Sequence, residues 1–402
     1  MVSEPLRLGV VGLGRAFMLM LPTFAQHPLV RLVAATDPRP EARSRFVEEF
    51  SSNGFAAKAY DTLDGLLADE AVEAVYVASP HQFHVAHVRS AAAAGKHILV
   101  EKPMALRLED CRAMIDVAAE AGIHLAVGHS HSFDLPYLRT AELIRSGRFG
   151  RPRLIVGSNY TDFLYRPRRP EELDTAQGGG VVFSQAAHQL DVVRLLAGAE
   201  IESLRAVTAR LDPARPTEGA YQALLLFENG ASATLTYSGY GRYDTDEQLG
   251  WFGELGQRRD PSQYGAARRA LAQVSTPAEE AALKEKRAYG TSGNVAGRTA
   301  PAAHNHFGHF LVSCDEADLR PMADGVRVYA NDREWLDPLP APAVPRAEVV
   351  DELHAAVRFG VPLLHSGEWG TATLAACLAI LESAATGREV RLGSQSTASA
   401  RG

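Results

Sequence analysis

The sequence predicts an α/β protein in two parts: an N-terminal doubly wound domain built on a parallel sheet, and a C-terminal α+β domain built on a mostly antiparallel one. Three observations predict it. Through the first third of the chain short β-like runs alternate with helical stretches, which is the pattern of a parallel sheet flanked by helices. Gly9-Val-Val-Gly12-Leu-Gly14 directly follows the first of those runs and opens a helix. Beyond Gly128 the β-like runs lengthen and little helix separates them.

Strands are expected at 6–11, 30–36, 74–78, 97–100 and 125–127, with helices over 41–50, 84–94 and 108–121. The last two helices stop at Gly95 and Gly122, as helix C-termini prefer. A helix over 136–146 then leads into strands at 153–161, 202–211, 221–228 and 231–238. Asn229-Gly230 between the last two is a hairpin signal, because both residues tolerate positive φ. Residues 241–303 hold few large apolar side chains and read as an excursion with one helix over 277–288: a lid, an oligomer contact or a partly disordered stretch. A Pro-rich connection precedes helices over 348–359 and 369–385. The expected division is 1–128 for the first domain, 129–393 for the second and 394–402 for a frayed tail.

Composition narrows the function. The chain has 402 residues, 46% apolar and 22% charged, enough for two large cores and unlike a disordered or fibrous chain. Its 41 basic and 48 acidic side chains leave a net charge of -7, which offers no global attraction to nucleic acid or anionic lipid. No apolar run is long enough to cross a bilayer, and Gly12, Gly14 and Arg15 interrupt the apolar start, so it reads as folded structure and not as a leader. The three cysteines form no CxxC pair and signal neither disulfide framework nor zinc ribbon, which fits a reducing cytoplasm.

Gly12 and Gly14 stand where a dinucleotide pyrophosphate meets backbone N–H groups and a helix N-terminus, with Arg15 and Ala16 next to it. Phe17 occupies the position usually held by Gly or Ala, so an ordinary tight βα turn is the alternative. Asp37 ends the second strand, where a carboxylate accepts hydrogen bonds from ribose hydroxyls and repels a 2′-phosphate. This favours NAD over NADP, although Arg39 nearby could receive that phosphate.

Glu101-Lys102-Pro103 ends the apolar strand of Ala94-Gly-Lys-His-Ile-Leu-Val. Ligands of open α/β sheets bind beyond such strand ends, and the residue before proline is held extended, so Lys102 is expected in the crevice. Gly178-Gly179-Gly180 precede Ser184, His188 and Asp191, whose spacings of four and three place them on one helical stripe. An imidazole there suits removal of a hydroxyl proton near neutral pH; a satisfied core histidine is the alternative. Arg166, Arg168 and Arg169 form a cationic loop suited to carboxylates, unless Glu171 and Glu172 pair with them. His304, His306 and His309, which His129 and His131 could join, lack a cysteine or carboxylate partner at familiar spacing, so no metal is expected and substrate contacts or packing are the preferred reading.

Together the GxG turn, Ser79-Pro80 before His81 and His84, the AGKHILVEKP run and the GGG stretch leading to His188 and Asp191 resemble the glucose-fructose oxidoreductase, inositol dehydrogenase and MocA family (Gfo/Idh/MocA). The resemblance covers nearly the whole chain. It implies a Rossmann domain, a large open antiparallel sheet, and a nicotinamide cofactor contacted by Gly12, Gly14, Arg15, Ala16, Asp37, Ser79, Pro80, His81, His84, Glu101 and Lys102. It also implies catalysis by Lys102 and His188, with Ser184, Tyr160, Asp191 and the three arginines toward substrate. Ser184 replaces an Asp common in sugar-oxidising members, His81 replaces Asn, and Ser132 precedes Phe133 where Arg is common, which argues against an ordinary sugar.

The segments from Tyr160 to Asp174, His129-Ser-His-Ser-Phe-Asp134 and 306–321 resemble more narrowly the branch containing phthalate 4,5-cis-dihydrodiol dehydrogenase. That resemblance implies NAD-dependent oxidation of a carboxylated aromatic-ring cis-dihydrodiol to a catechol in aromatic catabolism. The alternatives are a sugar, inositol or polyol dehydrogenase, and a non-catalytic NAD-binding sensor. The family's open sheet implies a homo-oligomer, a dimer or tetramer, acting on a small molecule.

Overall fold

The computed structural model describes residues 4–51, 56–291 and 301–392. They fall into two units. The first takes in the chain up to His129, the described residues from Ala281, and Ala343–Leu374; the second takes in Ser130–Glu280, Pro301–Pro342 and the chain from Ala375.

In the first unit, β1 (Leu6–Val11), β2 (Val30–Thr36), β3 (Lys58–Tyr60), β4 (Ala74–Val77), β5 (His97–Val100) and β6 (Leu125–Val127) form a six-stranded sheet. Its order is β3-β2-β1-β4-β5-β6 and every pair is parallel. The connections lead outward from β1 in one direction and from β4 in the other, so right-handed crossovers put the helices Arg15–Gln26 and Pro40–Phe50 on one face and His84–Ala93 and Leu108–Glu120 on the opposite one. Every residue of β4 is buried, as a strand covered on both faces requires. The reversal between β1 and β4 is the switch point at which such sheets bind ligands.

Grouping is not linear along the chain. The helix Ala347–Phe359 lies in the first unit, where Arg358 pairs with Glu73 at 2.8 Å and the His354 imidazole meets the Glu4 carbonyl at 3.1 Å. The 241–303 stretch is not one body either: residues to Glu280 and those from Pro301 belong to the second unit, and the described residues 281–291 to the first. There Tyr289 N donates to the Leu13 carbonyl at 3.1 Å and its ring meets Phe17 edge-on at 5.2 Å. Residues 292–300 and the tail expected over 394–402 lie outside the described residues.

In the second unit, β7 (Pro152–Tyr160), β8 (Ile201–Ala209), β9 (Ala220–Phe227), β10 (Ser232–Ser238), β11 (His309–Cys314), β12 (Ala317–Met322), β13 (Gly325–Ala330), β14 (Glu334–Pro338) and β15 (Val390–Arg391) form a nine-stranded sheet. The order is β14-β13-β12-β11-β7-β10-β9-β8-β15, and among these pairs β7/β10 alone is parallel. Gly230, with φ +84°, turns the β9/β10 hairpin at the Asn-Gly step. One face buries Tyr221, Ala223, Leu225 and Phe227 of β9 with Ala233, Leu235 and Tyr237 of β10. The helix Ala187–Ala197 is buried at every residue. The other face leaves Leu154, Val156, Val207, Leu224 and Leu226 exposed.

Candidate active site

The first unit gathers the expected cofactor residues around its switch point. Gly12 has φ +97°, and a Cβ there would lie 3.0 Å from the Ala78 carbonyl and the Ser79 amide, so the loops after β1 and β4 touch only because residue 12 is glycine. A Cβ at Gly14 would meet nothing within 4 Å. The helix behind it has no side-chain cap and no acidic residue in its first turn, so its leading N–H groups face a position open to an anion. Asp37 is buried and accepts from the Leu13 amide at 2.7 Å through one oxygen. These features fit a dinucleotide: N–H groups for the pyrophosphate and a carboxylate at the strand end for the ribose.

Phe17 is fully buried between the Tyr289 and Phe46 rings, at 5.2 and 6.4 Å, which accounts for a bulky residue where close helix packing usually demands a small one. Arg15 is exposed and Ala16 half-buried at the helix start. His84 joins two loops: one ring nitrogen lies 2.9 Å from the Ser79 carbonyl, and the other lies 3.2 Å from those of Pro103 and Met104. Burial pushes this imidazole down to about 4. Pro80 caps the short turn in which His81 lies. Lys102 is half-buried two residues beyond β5, at the carboxyl end of the sheet. Glu101 accepts from the Tyr76 hydroxyl, and burial pushes its carboxyl up.

The second unit builds its polar centre on His188. Residues Val182–Ala186 form a π-helical turn that runs into the α-helix, so the spacing of four from Ser184 to His188 does not stack them as an unbroken α-helix would. The Ser184 hydroxyl turns back to the Gly180 carbonyl. His188 Nδ1 lies 3.3 Å from Ser130 Oγ, and its ring meets His131 edge-on at 4.8 Å and Phe307 at 4.8 Å. His131 Nδ1 in turn lies 2.6 Å from Asp134 Oδ2. Asp191 is buried and lies 3.8 Å from Arg194. Tyr160 ends β7, its ring 5.7 Å from that of Tyr243.

The cationic loop is largely paired. Arg166 meets Asp162 at 2.8 Å and Glu254 at 3.6 Å, and Arg169 meets Glu171 at 3.3 Å. Arg168 stacks over Phe163 at 3.5 Å and has Glu172 at 3.7 Å, yet its buried Nε has no hydrogen-bond acceptor among the described residues. Burial, with Arg166 and Arg215 nearby, pushes this guanidinium down to about 10 despite Glu172. His304 and His306 meet the carbonyls of Pro340 and Phe252, at 2.7 and 2.8 Å. Ser130, His131, Asp134 and Phe307 were not among the residues expected to serve the site; they lie in the 129–134 and 306–321 segments that carry the narrower resemblance, but no spacing there assigned any of them a role.

Comparison with known proteins agrees with this architecture. Residues 6–129 match an oxidoreductase family model with an NAD-binding Rossmann fold, and residues 137–258 match the GFO/IDH/MocA C-terminal domain. The chain is 48% identical over 98% of both sequences to a 1-carboxy-3-chloro-3,4-dihydroxycyclohexa-1,5-diene dehydrogenase of Comamonas testosteroni. It is 28% identical to a myo-inositol 2-dehydrogenase of Thermotoga maritima, over 63% of this chain and 74% of that one. A crystal structure from Bordetella bronchiseptica RB50 superposes with a TM-score of 0.89 at 40% identity, covering 96% of this chain and all of that one. With its Rossmann sheet, its glycine turn and its second sheet behind a buried histidine, the chain is an enzyme of the Gfo/Idh/MocA oxidoreductase family, built to bind a nicotinamide dinucleotide.

Proposed function

We propose that the enzyme oxidises a carboxylated cyclohexadiene cis-diol to the corresponding catechol, with NAD as acceptor. The observation that carries this reading is the 48% identity, end to end, with a relative named for dehydrogenation of a carboxylated dihydroxycyclohexadiene. Bound NAD supplies the hydride acceptor. Gly12, Gly14, Arg15, Ala16, Ser79, Pro80, His81 and His84 would line its site, with Asp37 toward the adenine ribose and Glu101 and Lys102 toward the nicotinamide end.

His188 is the proposed base. Ser130, by accepting the Nδ1 hydrogen, leaves Nε2 to take the hydroxyl proton of the carbinol. Lys102 donates to the substrate oxygen, and its charge stabilises the developing alkoxide. Loss of hydride from carbon and proton from oxygen leaves a hydroxydienone. Movement of the remaining carbinol C–H proton to the carbonyl oxygen then gives the catechol, driven by the aromaticity gained. Arg168 is the guanidinium best suited to a substrate carboxylate, because its Nε is buried without an acceptor among the described residues. Tyr160, Ser184, Asp191, Arg166 and Arg169 complete the substrate side.

Homo-oligomerisation through the exposed apolar face of the nine-stranded sheet, as a dimer or tetramer, is part of the proposal. So is a cytoplasmic location, since Cys111, Cys314 and Cys377 are all free thiols. Polyol oxidation is the second reading, favoured by the inositol dehydrogenase match. Purified enzyme with NAD or NADP, offered cis-dihydrodiols bearing one or two carboxylates beside inositols and aldoses, separates the readings through reduced-cofactor absorbance. Turnover of inositols or aldoses but of no dihydrodiol would sink the first.

A further inference from the structure

His131 and Asp134 make a buried imidazole–carboxylate pair that the role of base leaves unused. Their side chains are 6% and 2% exposed. Asp134 is the N-cap of the helix Leu135–Arg145, a position where an aspartate normally accepts from the helix's first amides, yet its side chain makes no capping bond. The carboxylate is turned instead to His131 Nδ1, 2.6 Å away, with Asn305 Nδ2 at 3.5 Å on its other oxygen. An ionised carboxylate only accepts, so the hydrogen of this bond sits on Nδ1 and the ring is fixed in both tautomer and orientation.

That fixed ring stands against the proposed base. The His131 and His188 centroids are 4.8 Å apart with planes at 76°, and Phe307 lies 4.7 and 4.8 Å from the two rings. The Phe307 amide is held in turn by the Tyr137 hydroxyl at 2.8 Å. Two neighbouring imidazoles, each with a hydrogen bond at Nδ1, stand edge to face and share one aromatic neighbour, Phe307. A vicinal diol presents two adjacent oxygens on an apolar ring.

We propose that His131, positioned by Asp134, binds the second hydroxyl of the diol, the one not oxidised, while His188 serves the first. The assignment rests on the cis-diol reading and deepens it: His131 is the residue that distinguishes a diol from a single alcohol, and Asp134 is its positioning residue.

The test compares stable product analogues by calorimetry on the NADH-loaded enzyme, so that binding is read apart from turnover. The wild type is expected to bind 3,4-dihydroxybenzoate at least about tenfold more tightly than 3- or 4-hydroxybenzoate, since one lost hydrogen bond in a buried site is worth about that factor. His131→Ala and His131→Gln should bring the three ligands within about threefold of one another, and Asp134→Asn should fall between. KM for a carboxylated cis-diol should rise in the same order while kcat changes less. Equal weakening of all three ligands, or an unchanged ratio, would overturn the assignment, and thermal melting of each variant identifies a general loss of structure. If the wild type oxidises no cis-diol and binds no catechol, the functional reading itself fails and the assignment falls with it; if it oxidises diols but the ratio does not respond to His131, the assignment alone fails.

Discussion

Asp37 and Arg39 are locked together: Arg39 donates to Asp37 Oδ1 from both its backbone N and its Nε, each at 2.9 Å. The same guanidinium reaches the carbonyls of Leu13 at 2.7 Å and Tyr289 at 3.1 Å. The carboxylate therefore fixes the cation beside the glycine turn, and in the proposed NAD site its charge would oppose a 2′-phosphate.

Replacing Asp37 by Ser removes that charge and releases Arg39. The KM for NAD should rise at least about tenfold and kcat/KM for NADP should increase, because a freed guanidinium can pair with the extra phosphate. Initial rates with both cofactors check this. A wild type that already prefers NADP would overturn the assignment of NAD.

Lys102, at the nicotinamide end of the proposed cofactor site, is expected to act chiefly on the substrate oxygen and to add little to cofactor affinity. Lys102→Ala should lower kcat at least about a hundredfold with NADH affinity nearly intact, since only an interaction made as charge develops is lost. Titration of NADH fluorescence beside steady-state rates separates the two effects. Parallel loss of both would move Lys102 to the binding of the dinucleotide.

Much of this was legible in the sequence because the signals are local. Gly12, Asp37 and Lys102 each end or follow a strand whose apolar run is easily read, and Asn229-Gly230 announces its own hairpin. The π-helical turn before His188 was not legible, since no residue type marks the extra residue in a turn. The strands from His309 to Pro338 were missed because they are short and carry Asp318, Arg320 and Pro321 among their alternating apolar positions. β3 was missed for a similar reason: it is a three-residue edge strand with an exposed lysine. Ser130 and His188 are 58 residues apart, so their approach exists only once the helix and the turn pack together. The pairing of the arginine loop was legible only for its neighbours Glu171 and Glu172, because Glu254, the distant partner of Arg166, has no sequence relation to it.

His84 makes acid stability predictable. Burial holds its folded value at about 4, whereas in the unfolded chain an imidazole takes up its proton near 6.5. Its neutral form is therefore matched to the fold above about pH 6.5, and stability is lost as the pH falls from there toward 4, by ~2 kcal/mol at about pH 5. His84→Gln should lower stability near pH 7.5 but flatten the decline between there and about pH 5. Denaturant melts of both proteins at the two pH values measure this, and equal slopes would exclude His84 as a source of the acid sensitivity.

The exposed face of the nine-stranded sheet yields the last prediction. Val156, Thr234, Leu224 and Arg205 lie in register across four adjacent strands, and Leu154, Ser232 and Leu226 form the neighbouring row. Leu154, Val156, Leu224 and Leu226 are 58%, 43%, 47% and 43% exposed, so the apolar side chains form a stripe of two pairs, on β7 and on β9, with Thr234 and Ser232 of β10 between them. Because alternate residues of β9 are buried in the core, a change at 224 leaves that core untouched. If this stripe joins copies of the chain, Leu224→Asp places an unpaired carboxylate in a dry contact, and the assembly should dissociate to monomers at micromolar concentration while each protomer keeps its secondary structure. Light scattering on a sizing column measures the mass directly. A wild type that is already monomeric, or a variant with unchanged mass, would assign the stripe to something other than self-association.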